Sequence, residues 1–339
     1  MLLQVVPAVA GGVHDHAEVL ARHWRSAGRA NRTLALAAGP ASAGVLREAL
    51  HALSNSGEPL TVLLHFSAYG YGPRGLCGWL PTTLAAVRAE AALPVFCLFH
   101  ELFATGLPPW RSAFWLSPVQ RRTVVRLLAC IDGAWTATEG HAQWLQTHGA
   151  DAGGIGVWRM PVFSNVGEPQ VTPPLAARAP AAVVFGSAAS RQRVQAAWGD
   201  ADAGLLAGGI QEVCEIGAGP SCRPGHTALA WRHLGHLGAA DVAAELAGAR
   251  VCVIADNDIA LAKSSVLAAA AAHRCVVVNL RSAGQPADGL VPGRHLLRHP
   301  GVQASADTLC LQAVADALHS WYDGHRASMQ ADRFAGWAA

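Results

Sequence analysis

The chain has 339 residues, of which 25 are basic, 23 are acidic and 52% are apolar, so its net charge is only +2. This composition is that of a globular protein and excludes collagen, a disordered chain and a highly charged tail. The near-zero net charge argues against nucleic acid as a partner. Since one hydrophobic core rarely serves more than about 250 to 300 residues, the length predicts two domains.

The compartment is indicated by the absence of targeting signals and by the cysteines. No apolar stretch reaches the roughly 18 residues that span a bilayer. Residues 1–13 lack the basic n-region of a secretory signal. The 8 cysteines form no Cys-x-x-Cys pair and mostly occupy apolar segments. We therefore expect a cytoplasmic protein with reduced thiols and no integral membrane segment, while peripheral contact with a membrane stays open.

In the first half of the chain, short apolar runs alternate with segments of helical period, which favours the α/β class. The first helix has apolar residues at a 3.6-residue period from Val13 to Ala27, and Gly28 is placed to end it. The predicted strands are residues 2–6, 33–37, 60–65, 94–99 and 133–136. Together these elements predict one Rossmann-like unit.

A second unit follows a stretch rich in proline. Prolines at 161, 169, 173, 174 and 180 predict an extended linker. We expect a first domain over 1–165, a linker over 166–180, a second Rossmann-like domain over 181–305 and a helical segment over 306–339 that can pack back on the first domain. In the second domain we predict strands at 181–185, 212–216, 251–255 and 275–279 and a helix over 263–273.

Two such units that face each other would place the loops at the carboxyl ends of their strands on both walls of one cleft. His65 and His100 each end an apolar strand, and we rank His100 first as a functional residue. The residues that we expect to line the cleft or contact an acceptor are Asp15, His65, Tyr71, Arg74, Glu101, Trp110 and Arg111. The alternatives are a capping role for Asp15 and a core helix with a solvated face around Trp110 and Arg111.

Gly11 and Gly12 lie between the first strand and the first helix, where small residues let an anionic ligand approach the backbone. His14 and His16 follow, but residues two apart on a helix point to different faces, so we predict no metal site there. The glycine-rich loop that contains Arg74 lacks the spacing and the Lys-Ser end of a P-loop.

The second half of the chain contains basic residues that could bind a phosphate or diphosphate. The segment from Gly186 to Arg193 is a small-residue turn that opens a helix with two arginines, Arg191 and Arg193, a geometry suited to phosphate. The alternative is that both arginines lie on a solvated helix face. Lys263 is the only lysine of the chain, and it precedes two serines at a predicted helix start. Backbone N–H groups, hydroxyls and an ammonium at that place would suit a diphosphate. The residues that we expect at such a site are Gly11, Gly12, Ser187, Arg191, Lys263, Ser264 and Ser265.

Several stretches resemble bacterial glycosyltransferases of the two-Rossmann GT-B fold, most of all the broad glycosyltransferase family 4 type. They are PAVAGGVHDHAEVLARHWRSAG, HFSAYGYGPRG, FHELFATGLPPWRSAFWLSPVQRR, PVFSNVGEP, VVFGSAASRQRV and IADNDIALAKSSVLAAAAAHRCVVV. The long third stretch is the most specific, whereas the Gly-Gly opening is generic.

This resemblance implies transfer of a sugar from a nucleotide-diphosphate donor, held by the second domain, to a glycan or other small acceptor held by the first. It also implies retention of anomeric configuration, with no metal and no cofactor beyond the co-substrate. Arg191 and Lys263 would neutralise the leaving diphosphate, and His100 would contact the transferring sugar. These three residues are therefore the candidate catalytic residues, because stabilising a departing anion is the main demand.

The chain also departs from the family pattern. Many members have two glutamates eight residues apart in the segment that aligns with residues 261–269, and this chain has neither. Asp256 or Asp258 could supply the missing hydroxyl contacts from the preceding loop, and the alternative for both is a helix-capping or loop role. A non-catalytic sugar-nucleotide-binding or assembly protein is therefore one alternative. A metal-dependent GT-A enzyme is another, because residues 256–258 spell Asp-x-Asp.

Overall fold

The computed structural model describes residues 1–9, 11–105, 109–150, 153–298 and 308–337. The chain divides into two compact units, one formed by Met1–Pro161 with Ala327–Ala339 and the other by Val162–Arg326. The expected linker over 166–180 thus lies within the second unit. The expected boundary at 305/306 lies outside the described residues.

The first unit is built on a parallel sheet of six strands in the order β2-β1-β3-β4-β5-β6. Five of these strands were predicted, whereas β6 was missed because it is short and half exposed. The elements are β1 Leu2–Pro7, α1 Gly12–Ser26, β2 Asn31–Leu36, α2 Ser42–Ser54, β3 Thr61–Ser67, α3 Ala68–Tyr71, α4 Trp79–Glu90, β4 Val95–Glu101, α5 Ser112–Leu128, β5 Gly133–Thr136, α6 Glu139–Ala150, β6 Gly156–Arg159 and α12 Ala327–Gly336. A 3₁₀ turn spans Pro73–Gly75.

Helix α1 shows how the local sequence sets the fold of this unit. Its apolar face is buried, and the helix gives way to Gly28, whose φ of 70° favours glycine over residues with a side chain. The indole of Trp24 on that face donates to the carbonyl of Ala331 at 2.8 Å. The C-terminal helix α12 therefore packs against α1 and belongs to the first unit.

The second unit has the same architecture, with six parallel strands in the order β12-β11-β10-β7-β8-β9. The sequence predicted β7, β8, β10 and β11, but the half-exposed β9 and the two-residue β12 carry too weak an apolar pattern to be recognised. The elements are β7 Ala179–Phe185, α7 Ala188–Ala196, α8 Ala201–Ala207, β8 Glu212–Ile216, β9 Ala230–Gly235, α9 Ala239–Gly248, β10 Ala249–Ile254, α10 Ser265–Ala272, β11 Val276–Asn279, β12 Leu297–Arg298 and α11 Thr308–Asp323.

One correction concerns the helix expected over 263–273. Residues Asp258–Lys263 form a 3₁₀ helix that ends at Lys263, and α10 starts two residues later. The reason is local, because the hydroxyl of Ser264 accepts from the N–H of Leu267 and caps α10. Lys263 therefore lies just before the N-terminus of α10.

Both sheets reverse their strand order at one point, and that point positions the candidate site. In the first sheet β1 lies between β2 and β3, and in the second β7 lies between β8 and β10. In open parallel sheets, ligands bind outside the carboxyl ends of the strands where the order reverses. The residues that follow β1, β3, β7 and β10 are therefore the ones to inspect.

Two further findings concern the whole described chain. All 8 cysteines are free thiols, and seven of them are buried while Cys310 is exposed. Among the described helices, none is both long enough and apolar enough to cross a membrane.

Candidate functional site

In the second unit, the turn between β7 and α7 packs closely against the start of α10. Gly186 has a φ of 124°, and a Cβ at this position would come within 3.2 Å of Val266 in the first turn of α10. The exposed Ser187 caps α7 by accepting from the N–H of Ser190 at 3.2 Å. The N-termini of α7 and α10 therefore lie near each other at this edge, and both favour negative charge.

Arg191 does not lie at the surface of this edge, which corrects the expectation of a guanidinium open to an anion. Its side chain is fully buried and pairs with the equally buried carboxylate of Glu215. It also donates to the carbonyls of Ala218 and Pro220. Through these bonds Arg191 holds the loop after β8 against the interior of the unit. Arg193, two positions further along α7, lies on a different face of the helix.

The accessible cation of α7 is Arg193. Its side chain is 40% exposed and donates to Asp256 Oδ1 at 2.7 Å, directly after β10. The same carboxylate accepts from the hydroxyl of Ser264 at 3.1 Å. Lys263 precedes Ser264 and is half-buried, as is Ser265. The structure thus brings Arg193, Ser264 and Asp256 together, next to Lys263.

The second acid of the Asp-x-Asp sequence has a structural role. Asp258 is buried and accepts from the N–H groups of Ala283 and Gln285 and from the amide of Asn279. Its carboxylate therefore holds the loop after β11 and does not converge with Asp256 on an open position. Together with the two parallel sheets, this arrangement removes support for the GT-A alternative.

In the first unit, the glycine loop leads into α1. Gly11 precedes the helix with a φ of 151°, and a Cβ at Gly11 or Gly12 would meet no atom within 4 Å. His14 and Asp15 are exposed, while His16 is buried, so the two histidines face different ways as their spacing predicts. Gly11 itself occupies the cap position with no side-chain cap bond, so Asp15 is a first-turn acid near the positive helix end.

Three histidines meet at the carboxyl ends of β3 and β4. The Nδ1 of His65 lies 3.1 Å from the Nε2 of His100, and the ring of His16 lies edge-on to that of His100, with ring centroids 5.2 Å apart. On its other side, the Nε2 of His65 lies 2.9 Å from the side-chain oxygen of Gln4. His65 and Gln4 are fully buried, whereas His100 is half-buried at the edge of the sheet.

Burial controls the charge of this cluster. It lowers the pKa of His100 to about 4. Burial also lowers the pKa of His65 and of His16 well below the usual range, and the neighbouring histidines reinforce both shifts. All three rings are therefore neutral at pH 7, and each has one N–H donor and one acceptor nitrogen.

Of the other expected contact residues in the first unit, Tyr71 lies in the interior and four are exposed. The hydroxyl of Tyr71 is fully buried and lies within hydrogen-bond distance of the carbonyls of Val5 and His65, so it does not reach a ligand from this position. This corrects the expectation that Tyr71 lines the cleft or contacts an acceptor. The exposed residues are Arg74, Glu101, Trp110 and Arg111, with Trp110 82% exposed.

Three residues that matter here were not singled out from the sequence: Gln4, Arg193 and Glu215. Gln4 and Glu215 carry a usable signal, because each is a polar residue between apolar neighbours within a strand and must find a buried partner. The choice of Arg193 over Arg191 has no such signal, since only the helix phase separates them. Within the described ranges, no group of three His, Cys, Asp or Glu side chains is placed to hold a metal ion.

No family model matches the chain, and no curated protein matches it in sequence. Its fold is similar to that of solved glycosyltransferase structures. Sucrose-phosphate synthase from Thermosynechococcus elongatus matches with a TM-score of 0.65 and 12% identity over 99% of this chain and 98% of that one.

Two further structures carry bound ligands. An alpha-glucosyltransferase in complex with UDP and a 13-mer DNA matches with a TM-score of 0.61 and 8% identity, over 98% of this chain and 97% of that one. Phytolacca americana UGT2, complexed with UDP-2fluoro-glucose and pterostilbene, matches with a TM-score of 0.57 and 10% identity, over 99% of this chain and 98% of that one. At such identities the likeness concerns the fold, and the fold of this chain is GT-B.

Proposed function

We propose that the chain is a glycosyltransferase that moves a sugar from a nucleotide-diphosphate-sugar donor to a glycan or another small acceptor. In this proposal the anomeric configuration is retained, no metal ion takes part, and the reaction occurs in the cytoplasm of a bacterium. The observation that carries the proposal is the edge of the second sheet, where two helix N-termini lie beside Lys263 and Arg193. The GT-B fold supports it.

The chemical demand on the second unit is to stabilise the leaving diphosphate. The ammonium of Lys263 and the N–H groups at the start of α10 would contact its oxygens, together with Ser187 at the start of α7. Arg193 would join them by leaving Asp256. A partly exposed pair of this kind contributes only about 0 to 1 kcal/mol, so a phosphate can compete for the guanidinium.

The carboxylate of Asp256 would then be available for hydroxyl groups of the donor. It accepts from Ser264 in this structure, so its position suits hydroxyl donors. The carboxylate of Asp258 is already hydrogen-bonded to the loop after β11. Asp256 would therefore replace the two glutamates that many glycosyltransferases of the family 4 type have in the segment that aligns with residues 261–269.

The first unit would bind the transferring sugar and the acceptor. In this proposal His100 contacts the sugar, and the open backbone at Gly11 and Gly12 approaches the diphosphate. Exposed side chains with hydrogen-bonding or stacking groups would line the acceptor position; they are Asp15, Arg74, Glu101, Trp110 and Arg111.

The test is turnover of candidate donors in EDTA. UDP-, GDP-, ADP- and TDP-sugars are incubated with the purified protein and a panel of glycan acceptors, and release of the nucleoside diphosphate is measured. We expect one donor to be consumed without added metal, and the anomeric NMR coupling of the product to match that of the donor. Consumption that requires a divalent ion, or an inverted product, would contradict the respective part of the proposal.

The missing acidic residues between 261 and 269 favour one other function, a protein that binds sugar nucleotides without turning them over. The same assay, combined with a calorimetric titration of each donor, separates the two functions. Saturable binding of a donor with no release of nucleotide, with any acceptor, would support the non-catalytic function and contradict the enzyme.

A further inference from the structure

The hydrogen bonds behind His100 form a chain that begins at a backbone carbonyl. The side-chain nitrogen of Gln4 lies 3.0 Å from the carbonyl oxygen of Ala17 in α1. A carbonyl oxygen can only accept, so the amide nitrogen of Gln4 must face it. The amide oxygen of Gln4 therefore faces His65, at 2.9 Å from Nε2.

This fixed amide determines where the ring protons lie. An amide oxygen can only accept, so the Nε2 of His65 must carry a proton and donate it to Gln4. His65 is fully buried and neutral, which leaves its Nδ1 with a lone pair. The Nε2 of His100, 3.1 Å away, must then donate to that lone pair. A neutral His100 with its proton on Nε2 has its own lone pair on Nδ1.

The position of His100 makes this lone pair usable. His100 is half-buried at the carboxyl end of β4, on the strand next to β3. Among the described residues, His65 is the only hydrogen-bond partner of its ring. The other titratable group packed against its ring is His16, which burial also keeps neutral. A ligand that contacts His100 would therefore meet an acceptor nitrogen, and none of the three histidines would present a positive charge to it.

We propose that Gln4 and His65 are positioning residues that hold His100 as the Nε2–H tautomer, so that its Nδ1 accepts a hydrogen bond from a sugar hydroxyl. The identity of the ligand rests on the proposed function, whereas the tautomer does not. The arrangement selects a group with a hydrogen to donate. A carboxylate, a fluorine or an ether oxygen at the same position has none, so a uronic acid, a deoxyfluoro sugar or an O-methyl sugar would be discriminated against.

The tautomer is tested by long-range ¹H–¹⁵N NMR of the full chain with labelled histidine at pH 7. The His100 signals are assigned by their loss in His100→Gln. We expect a protonated Nε2 and an unprotonated Nδ1 for both His65 and His100. A proton on Nδ1 of either ring would overturn the proposal without any variant having to fold.

The positioning role is tested with Gln4→Leu, which keeps an apolar strand but removes the acceptor that fixes His65. We expect the signals of His65 and His100 to shift toward the opposite tautomers. The matched control is Thr136→Val on the neighbouring strand, whose buried hydroxyl donates to the carbonyl of Phe99 and takes no part in the chain. It should leave both tautomers unchanged. Unchanged tautomers in Gln4→Leu would overturn the role of Gln4.

The ligand part is tested with monodeoxy and deoxyfluoro analogues of the donor and acceptor that the enzyme uses. We expect one hydroxyl whose removal lowers kcat/KM by about 10- to 100-fold in the wild type, and whose removal has little further effect in His100→Ala. Equal losses in both proteins would overturn the hydroxyl contact. If no sugar nucleotide binds, the proposed function fails, while the NMR result still decides the tautomer.

Discussion

The two sheets reverse their strand order in the same way, yet they carry different chemistry at that point. In the first unit, neutral imidazoles and an amide are joined in a buried chain from Gln4 to His100. In the second, a part-exposed ion pair joins Arg193 and Asp256 between two helix N-termini. The comparison indicates that the topology of a sheet determines the position of a ligand site, whereas the burial and charge of the side chains there determine which chemical class of ligand the site can bind. In the proposed function the carboxyl edge of the first sheet takes neutral hydroxyl groups and that of the second sheet takes an anion.

The largest expected effect is a loss of stability in the second unit when its buried ion pair is broken. Arg191→Met leaves the carboxylate of Glu215 buried without its cation, and such a loss costs about 3 to 5 kcal/mol of unfolding free energy. Urea unfolding followed by tryptophan fluorescence measures this change, since Trp231 donates to Glu215. A loss below about 1 kcal/mol would show that Arg191 does not hold the unit together.

The next effect concerns the proposed diphosphate site beside Lys263 at the edge of the second sheet. Lys263→Ala should weaken binding of the donor diphosphate by about 10- to 100-fold, because a hydrogen bond to a charged group contributes roughly 1.5 to 3 kcal/mol. Calorimetric titration with the preferred donor measures the change, and the melting temperature reports on folding. Ile259→Ala, at an exposed residue of the same 3₁₀ helix, is the matched control. Equal affinity for both variants would remove Lys263 from the site.

The third effect is a loss of stability at acid pH that comes from the buried histidines of the first unit. Burial lowers the pKa of His100 to about 4 and lowers the pKa values of His16 and His65 well below their usual range. Just below pH 6.5 these rings therefore stay neutral in the folded chain while they become protonated in the unfolded chain, and for His100 this window extends to about pH 4. Their contribution to stability is complete above pH 6.5 and is lost as the pH falls, at about 1.4 kcal/mol per pH unit for each histidine.

Urea midpoints at pH 7, 6 and 5 measure this dependence. The buried His273 and His295 of the second unit, whose pKa values are also lowered by burial, add to the slope. His65→Gln should therefore reduce the slope by about one proton and not abolish it. Equal stability of the wild type at pH 7 and pH 5 would contradict the neutral buried cluster.

The smallest effect completes the comparison of the two arginines of α7. Arg193→Met removes a pair whose arginine is 40% exposed, so the unfolding free energy should change by less than about 1 kcal/mol. Donor affinity should nevertheless fall. A stability loss as large as that of Arg191→Met would show that both arginines are structural and that neither serves the donor.

The sequence was sufficient to predict the α/β class, nine of the strands and the positions of His65 and His100 at strand ends. These follow from apolar periodicity, which is a local property. The side-chain partners were not predictable, because Gln4 meets His65 across 61 positions and Arg193 meets Asp256 across 63. The resemblance selected Arg191, and the sequence could not correct this choice because it does not show which side of a short helix is buried. Tyr71 was misjudged for the same reason.

The central claim is that the second unit binds a nucleoside diphosphate through its own cations and helix N-termini. The most direct measurement is calorimetric titration of the wild-type chain with UDP, GDP, ADP and TDP in EDTA. The account predicts saturable binding of one of them, weakened by salt and by Lys263→Ala. Binding of none of the four, or binding that requires a divalent ion, would contradict it.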